Sequence, residues 1–302
     1  MRGISGLSLS EKPLRGLFYI YKYRFLSISQ FAHVSGLSRY HAAEILRKLE
    51  RIAAVGFFGN TPVAGAGRTP KVYYLRKKGY GFLNDETAFE LDKFVEPNFE
   101  LSWTPQMFHR LALLDLFIAL EVAVGASPHL ELVKVFLEYR RVAPSYYRET
   151  SDYVSGEFVA ENRIVPDGAF ILGNRESGEQ GLFFVEIDMG SERISAPKSR
   201  DQRSTIRGKL SQYDRYLTSG RFAETYKSQG EFRYFLMLFV TPSMERIANI
   251  REDASAHLSG KLHSYYRFST VDEARVDFLG SIWASRNPSD SVRYALIQSP
   301  GE

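Results

Sequence analysis

The chain contains no cysteine among its 302 residues, and this absence excludes disulfide bonds, thiol nucleophiles and cysteine-ligated zinc. Histidines are few, six in all, and they are scattered without the spacing of metal ligands, so a histidine-based zinc site is not expected. No apolar run approaches the roughly 18 to 20 residues of a membrane span, and the first residues lack the pattern of a signal peptide. These absences predict a cytoplasmic protein without a membrane segment.

What is present is an ordinary globular composition with an uneven distribution of charge. Hydrophobic residues make up 44% and charged residues 25%, and the length suggests about two domains. Residues 1–80 carry 14 Lys and Arg against 3 Asp and Glu, whereas the other 222 residues carry 25 against 32. A basic first domain indicates a polyanionic partner, most simply nucleic acid.

The first domain has a recognisable order of helices, turn and strands. Apolar residues at helical spacing predict a first helix over Leu14–Leu26 and a short helix from about Ser29. Gly36 then predicts a tight turn, and Ser38 is a natural N-cap for a long helix. Two short strands joined by a Gly- and Pro-rich loop follow. This pattern over residues 14–83 resembles the winged helix-turn-helix family, in which the second helix reads the major groove of DNA from its N-terminal end.

The long helix that follows Ser38 has a basic outer face and an apolar stripe of Ala42, Ile45, Leu46, Leu49 and Ile52. Residues near its start are candidates for base contacts, and basic residues further along the helix and in the wing are candidates for phosphate contacts. The candidate base contacts are Arg39, Tyr40 and His41, and the candidate phosphate contacts are Arg47, Lys48, Arg68 and Lys71. The alternative interpretation is that these cations are only solvated on an outward face.

Residues 84–104 are rich in acidic side chains and predict a linker between a domain over residues 1–83 and a second domain over residues 105–302. The second domain has the predicted order helix, three strands, helix, strand, and a further helix is expected over Ser243–Leu258. The expected fold class is α+β. The winged helix-turn-helix is followed by an α/β domain with a central mixed four-stranded sheet flanked by helices.

Three acids fall within two of the predicted apolar strands, where charged residues are rarely buried without a partner. Asp167 follows Pro166 at the start of one strand, and Glu186 and Asp188 lie two residues apart on the next. Because side chains alternate along a strand, Glu186 and Asp188 share a face. If Asp167 lies alongside them, the three carboxylates converge within reach of one hard cation, Mg²⁺ or Mn²⁺.

The order of strands and the motifs "PD" and "E-x-D" resemble the core of the PD-(D/E)xK nuclease superfamily over residues 105–241. The resemblance implies a metal site and a catalytic site that include Asp167, Glu186 and Asp188. It also implies a lysine two positions after the second acid, which helps to activate water. Asp188 stands at that position, so the chain departs from the family pattern, and Lys209 on the following helix is the candidate replacement.

The helix that carries Lys209 also contains Gln212 and Tyr216 in a Q-x-x-x-Y pattern. This pattern resembles the helix motif of RecB-type nucleases and implies that both residues contact DNA. Three roles stay open for Lys209: a catalytic lysine that has moved, a contact to a DNA phosphate, and an ion-pair partner of Glu186.

A purely structural interpretation of the acids also stands. In this interpretation Asp167 caps a turn before Gly168. Glu186 and Asp188 then pair with basic side chains on the following helix and the segment before it, which are Lys198, Arg207 and Lys209.

The winged-helix pattern and the later motifs together resemble the replication-relaxation family of plasmids and integrative elements. The motifs include His109 in the first helix of the second domain, Pro166–Gly168, Glu186–Gly190 and Lys209–Tyr213. The resemblance implies a role in plasmid replication and in the DNA relaxation that accompanies mobilisation, with a relaxase or replication proteins as partners. His109 faces the expected core, so packing is the alternative to a role in the site.

Three functions from different classes follow from these patterns. The first is a DNA-binding accessory protein, in which the nuclease-like domain acts as a second DNA clamp or as a platform for partners. The second is a metal-dependent endonuclease that the winged helix directs to its DNA. The third is a transcriptional regulator whose C-terminal domain forms a homodimer or binds a partner protein.

Overall fold

The computed structural model of the chain describes residues 9–63, 67–86, 91, 94, 105–137, 150–155, 157, 159, 162–197 and 204–297. The backbone divides into two compact units, Met1–Ile118 and Ala119–Glu302, and each unit has its own sheet. Most of the predicted linker over residues 84–104 lies outside the described residues. The predicted domain limits therefore stay predictions.

The first unit combines helices with a small sheet. Its elements are, in chain order, α1 (Glu11–Tyr23), β1 (Phe25–Ser27), α2 (Ile28–Ser35), α3 (Arg39–Arg51), β2 (Val55–Gly59), β3 (Pro62–Val63), β4 (Gly67–Arg68), β5 (Lys71–Leu75), α4 (Lys77–Asn84) and the first part of α5 (Pro105–Gly125). β1, β5 and β2 form an antiparallel sheet in that order, and β3 pairs with β4. The predicted short helix, turn, long helix and pair of strands are all present.

The first helix ends earlier than predicted. Arg24 adopts a φ of 64°, which ends α1 at Tyr23 instead of Leu26. Phe25 and Leu26 then belong to β1, where they lie opposite Tyr74 and Tyr73 of β5. Both residues are buried in the strand, as they would be in a helix, so apolar spacing did not distinguish the two structures.

Local hydrogen bonds determine where α2 and α3 begin. At the start of α2 the Ser27 hydroxyl accepts a bond from the Gln30 backbone N–H at 3.2 Å, and the Gln30 side chain accepts one from the Ser27 N–H at 2.9 Å. Gly36 ends α2 with a φ of 64°, in the left-handed region that favours glycine. Ser38 is the N-cap of α3, as predicted, because its hydroxyl accepts from the His41 N–H at 3.3 Å.

α3 packs into the first unit through one face. Ala42, Leu46 and Leu49 of the predicted apolar stripe are buried, whereas Ile45 and Ile52 are partly exposed. The other face of the helix is left for solvent, and its charged residues are described below.

The second unit is built on one large sheet. Its elements are the end of α5, β6 (Leu130–Leu137), β7 (Asp152–Tyr153), β8 (Arg163–Ile164), β9 (Gly168–Asn174), β10 (Gln180–Ile187), α6 (Ile206–Ser219), α7 (Arg221–Thr225), β11 (Phe235–Thr241), α8 (Met244–His257), a 3₁₀ helix (Gly260–Tyr265), β12 (Tyr266–Thr270), α9 (Val271–Val276), β13 (Trp283–Ala284) and β14 (Arg293–Tyr294). The sheet has the order β14-β13-β12-β11-β10-β9-β6, and β7 pairs separately with β8. β10, β11 and β12 run parallel to one another and the remaining pairs are antiparallel, so the sheet is mixed.

This sheet has seven strands among the described residues, whereas the sequence predicts four. The predicted strands correspond to β6, β9, β10 and β11. The additional strands come from residues 266–294, and two of them, β13 and β14, contain only two residues each. Strands of that length show no alternation of apolar and polar residues, so they leave no signal in the sequence.

The central strands of the sheet are buried on both faces. Leu182–Ile187 of β10 is buried without interruption, and so is Met237–Thr241 of β11. Strands covered on both faces have continuous apolar sequences, which explains the runs "LFFVEI" and "MLFVT". α6 packs on the face that carries Phe184, whose ring centroid lies 6.4 Å from that of Tyr213.

α5 is the longest helix in the described residues and is apolar around most of its surface. Leu113, Ile118 and Leu120 are examples of its buried residues. No helix in the described ranges has both the length and the apolar character needed to cross a membrane.

A buried arginine holds the last strands of the sheet to α6. Arg286 follows β13 and donates from Nη1 to Asp214 of α6 at 2.7 Å and from Nη2 to the Ser259 carbonyl at 2.7 Å. Its Nε donates to His263 Nδ1 at 3.2 Å, so this nitrogen must be unprotonated. Tyr266 lies beneath the guanidinium at 4.2 Å and donates to Asp214 at 2.6 Å. Together these contacts connect the segment that follows β13 to α6.

The arginine network predicts a dependence of stability on pH. Burial and the positive charge of Arg286 lower the pKa of His263 from 6.5, and the opposing effect of Asp214 is smaller. The folded chain therefore binds fewer protons at His263 than the unfolded chain, and this contribution to stability is lost as the pH falls below about 6.5. We expect the melting temperature to fall more between pH 7.5 and 5.5 in the wild type than in His263→Gln, as measured by thermal unfolding.

His257→Gln is the matched control for this experiment, because His257 is exposed on α8 in the same unit. Its melting temperature should depend on pH as the wild type does. The same pH dependence in all three proteins would contradict the assignment to His263.

Candidate functional site

The start of α3 presents the three predicted base-contact residues to solvent. Arg39, Tyr40 and His41 are all exposed, and Tyr40 has 67% of its surface accessible. The Tyr40 and His41 rings lie edge to face with their centroids 5.7 Å apart, and His41 Nδ1 is 3.1 Å from the Ser38 hydroxyl. A large exposed aromatic ring beside hydrogen-bonding groups at the start of a helix has the chemistry needed to contact nucleobases.

Basic side chains continue along the outer face of α3. Arg47, Lys48 and Arg51 are exposed, and the Arg47 Nε donates to the Ala43 carbonyl at 3.2 Å. These cations lie on the opposite side of the helix from its buried apolar residues. α3 is therefore an amphipathic helix whose polar face is basic.

The two predicted phosphate contacts outside α3 differ in their surroundings. Arg68 is exposed on β4, and its Nε donates to the carbonyl and the side-chain oxygen of Asn60, each at 3.0 Å. Lys71 instead donates to Glu50 at 2.9 Å, and its Nζ lies 3.5 Å from the centroid of the Phe57 ring. Lys71 thus connects β5 to the end of α3 through an ion pair.

Glu186 lies at the end of β10 with only 5% of its side chain exposed. Its Oε2 accepts from Lys209 Nζ at 3.2 Å, and its Oε1 accepts from the Tyr213 hydroxyl at 2.6 Å. Lys209 and Tyr213 are four residues apart on α6, so both side chains reach the same carboxylate. The ion pair with Glu186, one of the three roles considered for Lys209, is therefore present.

Asp167 lies beside this pair, directly before β9. Its Oδ2 accepts from the Ile187 backbone N–H at 2.8 Å, which links it to the end of β10. Its negative charge is close enough to affect the pKa values of both Glu186 and Lys209. The acids that the sequence assigns to neighbouring strands thus meet at one end of those strands.

The charges of this cluster depend on one another. Burial raises the pKa of Glu186 to about 7, and Asp167 acts in the same direction, while Lys209 and Tyr213 oppose the shift. Burial acts to lower the pKa of Lys209, but the surrounding carboxylates outweigh it and the pKa is raised. Lys209 consequently stays cationic among these carboxylates.

Asp188 faces a different cation. Its side chain is 1% exposed, and its Oδ2 forms an ion pair with the Arg246 Nε from the first turn of α8. Its Oδ1 accepts from the Gly190 N–H at 2.9 Å. The structure thus brings Asp167 and Glu186 together and pairs Asp188 with Arg246.

Two residues of this region, Glu192 and Arg246, have no counterpart in the sequence predictions. Glu192 accepts from Lys209 Nζ at 2.7 Å through Oε1, and its carbonyl accepts from Arg246 Nη2. Glu192 lies in an irregular segment after Gly190, outside any periodic pattern. Arg246 is 58 residues away from Asp188 in the chain, so no local motif connects the two residues.

The remaining predicted residues lie in different surroundings. Tyr216 is buried and donates its hydroxyl to Asp152, which also accepts from Thr225 at 2.6 Å. Its position is therefore in the core and not at the surface, whereas Gln212 on the same helix is partly exposed. His109 is partly exposed on α5.

The carboxylates can be compared with the requirements of a divalent cation. Within the ranges that the structure describes, no three or more His, Asp or Glu side chains are grouped so that they could hold a metal ion. Asp167 and Glu186 form a pair of carboxylates, and Mg²⁺ commonly uses one or two carboxylates and keeps several waters. Both oxygens of Glu186 already accept hydrogen bonds from Tyr213 and Lys209, and Asp188 is paired with Arg246, so a cation here would have to share or displace these partners.

Comparison with known proteins identifies the family of the chain. The family model described as replication-relaxation matches residues 17–231, which is more than two thirds of the sequence. The chain therefore belongs to the replication-relaxation family, as its motifs predict. Searches of the curated proteins and of the solved structures gave no match. The matched residues include α3 and the cluster around Glu186, whereas Arg246 lies beyond them.

The Asp188–Arg246 pair predicts a large effect on stability. Arg246→Met leaves the buried Asp188 charge without its cation and should destabilise the chain by roughly 3 to 5 kcal/mol in urea unfolding. The double variant Asp188→Asn with Arg246→Met removes both charges and should recover most of that loss.

Arg293→Met is the matched control, because Arg293 pairs with Glu273 near the surface, where both side chains are about one third exposed. Arg293 also donates to the Ile282 carbonyl, but its removal leaves no buried charge unpaired, so Arg293→Met should destabilise the chain clearly less than Arg246→Met. Equal losses in the Arg246 and Arg293 variants would contradict the prediction.

Proposed function

We propose that this member of the replication-relaxation family is a double-stranded DNA-binding protein that acts in the replication or mobilisation of a plasmid or integrative element. Membership of the family supports a role related to replication or mobilisation. The observation that carries the DNA-binding proposal is the outer face of α3. There, exposed cations and the exposed Tyr40 lie opposite a buried apolar face.

The elements around α3 support a winged helix-turn-helix arrangement. α2 and α3 are joined at Gly36, and β2 and β5 follow as an antiparallel pair with the β3–β4 hairpin between them. In such an arrangement the start of the second helix meets base edges and the wing meets the DNA backbone. The proposed base contacts are Arg39, Tyr40 and His41, and the proposed phosphate contacts are Arg47, Lys48 and Arg68.

Lys71 has a different proposed part in binding. Because Lys71 is paired with Glu50, its charge is already balanced within the first unit. We propose that it fixes the orientation of β5, and so of the wing, with respect to α3. Any phosphate contact by Lys71 would have to compete with Glu50.

The partners beside DNA are proposed from the role of the family. They are a relaxase or replication proteins, and a second copy of the chain. In this proposal the second unit binds these partners or provides a second DNA-binding site.

The binding proposal predicts separate effects for two residues of α3. Arg47→Ala should weaken binding to all duplexes and lower the slope of log affinity against log salt by about 0.9, because one phosphate contact is lost. Arg39→Ala should reduce the preference for the element's own flanking DNA over random duplex. Fluorescence anisotropy between 50 and 200 mM salt measures both effects.

Lys227→Ala provides the control for charge, because Lys227 is an exposed cation of the second unit. It should leave the affinity and the salt slope near their wild-type values. If Arg47→Ala and Arg39→Ala also bind as the wild type does, α3 is not the DNA-binding surface and the proposal fails.

A second candidate function, metal-dependent DNA cleavage, is favoured by the pair of Asp167 and Glu186 beside Lys209. These two carboxylates would hold Mg²⁺ or Mn²⁺, and such a cation would supply polarisation of a phosphate and a more acidic bound water. Tyr213 holds Oε1 of Glu186 and Lys209 holds Oε2, so the carboxylate has a fixed orientation. In this proposal Lys209 places a positive charge where an attacked phosphate would gain negative charge.

The cleavage candidate predicts nicking of supercoiled plasmid that carries the element's flanking DNA, in Mg²⁺ or Mn²⁺ but not in EDTA. Asp167→Asn and Glu186→Gln should abolish the nick, because each removes one of the two carboxylates. Glu245→Gln is the control, since Glu245 is an exposed acid in the same unit. Nicking that persists in both site variants, or no nicking by a wild-type protein that retards the plasmid, would exclude this candidate.

A further inference from the structure

Lys209 lies between an inner and an outer carboxylate. The inner one is Glu186, which is 5% exposed, and the outer one is Glu192, which is 31% exposed. The bond to the outer carboxylate is the shorter, at 2.7 Å against 3.2 Å. Glu192 is therefore the more solvent-accessible of the two carboxylates beside Lys209.

The carboxylate of Glu192 is incompletely satisfied. Oε1 accepts from Lys209, but Oε2 is buried and has no hydrogen-bond partner among the described residues. A buried oxygen without a partner costs free energy, because it has lost its water without a replacement. The net free energy gained from the contact between Glu192 and Lys209 is thus smaller than its length of 2.7 Å suggests.

The main chain at Glu192 is held independently of this side chain. Arg246 Nη2 donates to the Glu192 carbonyl, and Lys209 remains paired with the buried Glu186. Glu192 can therefore leave Lys209 by rotation of its side chain while the backbone stays in place. The ammonium would then present one open direction toward solvent.

We propose that Glu192 is an internal anion that occupies the DNA-binding position of Lys209, and that a backbone phosphodiester of DNA displaces it. The exchange replaces one negative charge beside Lys209 by another, so it adds no repulsion from Asp167 and Glu186. A phosphodiester also has two unesterified oxygens that can accept hydrogen bonds, whereas only one carboxylate oxygen of Glu192, Oε1, accepts one. Glu192 thereby lowers the affinity of the second unit for DNA until a phosphate takes its place.

This inference rests on the proposed function, since it assigns a second phosphate contact to a chain that binds DNA through α3. It is separate from the cleavage candidate, because it needs neither a metal nor a broken bond.

The test measures the affinity of the full chain for duplex DNA without divalent metal. Glu192→Gln removes the competing charge and should tighten binding roughly three- to tenfold at 50 mM salt, with a salt slope steeper by about 0.9. Glu192→Ala should do the same, which guards against a specific effect of the amide. Glu245→Gln removes an equal charge from the first turn of α8 and should change the affinity by much less.

The decisive comparison is made in the absence of Lys209. In a Lys209→Gln background that also carries Glu186→Gln, so that no buried carboxylate loses its cation, Glu192→Gln should give no gain in affinity, because the phosphate has no ammonium to reach. A gain that persists without Lys209, or an equal gain in Glu245→Gln, would show a general effect of charge and overturn the proposal. Unchanged or weaker binding by both Glu192 variants, with melting temperatures near that of the wild type, would also overturn it.

A further arm distinguishes DNA from a free anion. If inorganic phosphate raises the melting temperature of Glu192→Gln while its DNA affinity equals that of the wild type, the ligand is a free phosphate and the DNA proposal is wrong. If Glu192→Gln has no effect but Arg47→Ala weakens binding, only this inference fails. If the wild type does not bind DNA at all, the proposed function fails and this inference fails with it.

Discussion

The burial of Glu186 near the end of β10, directly after the apolar run Leu182–Val185, is the constraint on which the second unit depends. A carboxylate in such surroundings is stable only with hydrogen bonds and an opposite charge. α6 supplies both, through Lys209 and Tyr213, so its position on the sheet satisfies this one side chain. Asp188 imposes the same requirement two residues later, and Arg246 of α8 meets it. Two acids thus link the end of β10 to two helices.

The same arrangement leaves an imbalance of charge that bears on function. Asp167, Glu186 and Glu192 surround a single ammonium group, and all three raise the pKa of Lys209. A cluster with more carboxylates than cations can gain a metal ion, or it can exchange one of its anions for another. The two proposals for the second unit correspond to these two responses, and in both proposals the first unit would bring DNA to the protein.

Features set by neighbouring residues could be predicted from the sequence, and features set by distant residues could not. The capped start of α3 depends on Ser38 and the turn on Gly36, both of which are local signals. The meeting of Asp167 with Glu186 follows from adjacent strands and from alternation along them. The partner of Asp188 comes from a helix 58 residues away, and no pattern in either segment reveals the pair.

Partners that are distant in the sequence also explain why Lys71 and Tyr216 lie in surroundings different from the predicted ones. Lys71 looks like an exposed wing cation in the sequence, but Glu50, 21 residues earlier, engages it. Tyr216 shares a helix with the partly exposed Gln212, yet its contact with Asp152 joins it to the core. The roles of these residues toward DNA stay predictions.

The segment that matches the family ends at residue 231, before β11 begins at Phe235. A chain cut there would expose the hydrogen-bonding edge of β10, an apolar strand of the kind that recruits other chains and self-associates. The segment that the family model matches is therefore shorter than the segment needed to complete the sheet around β10.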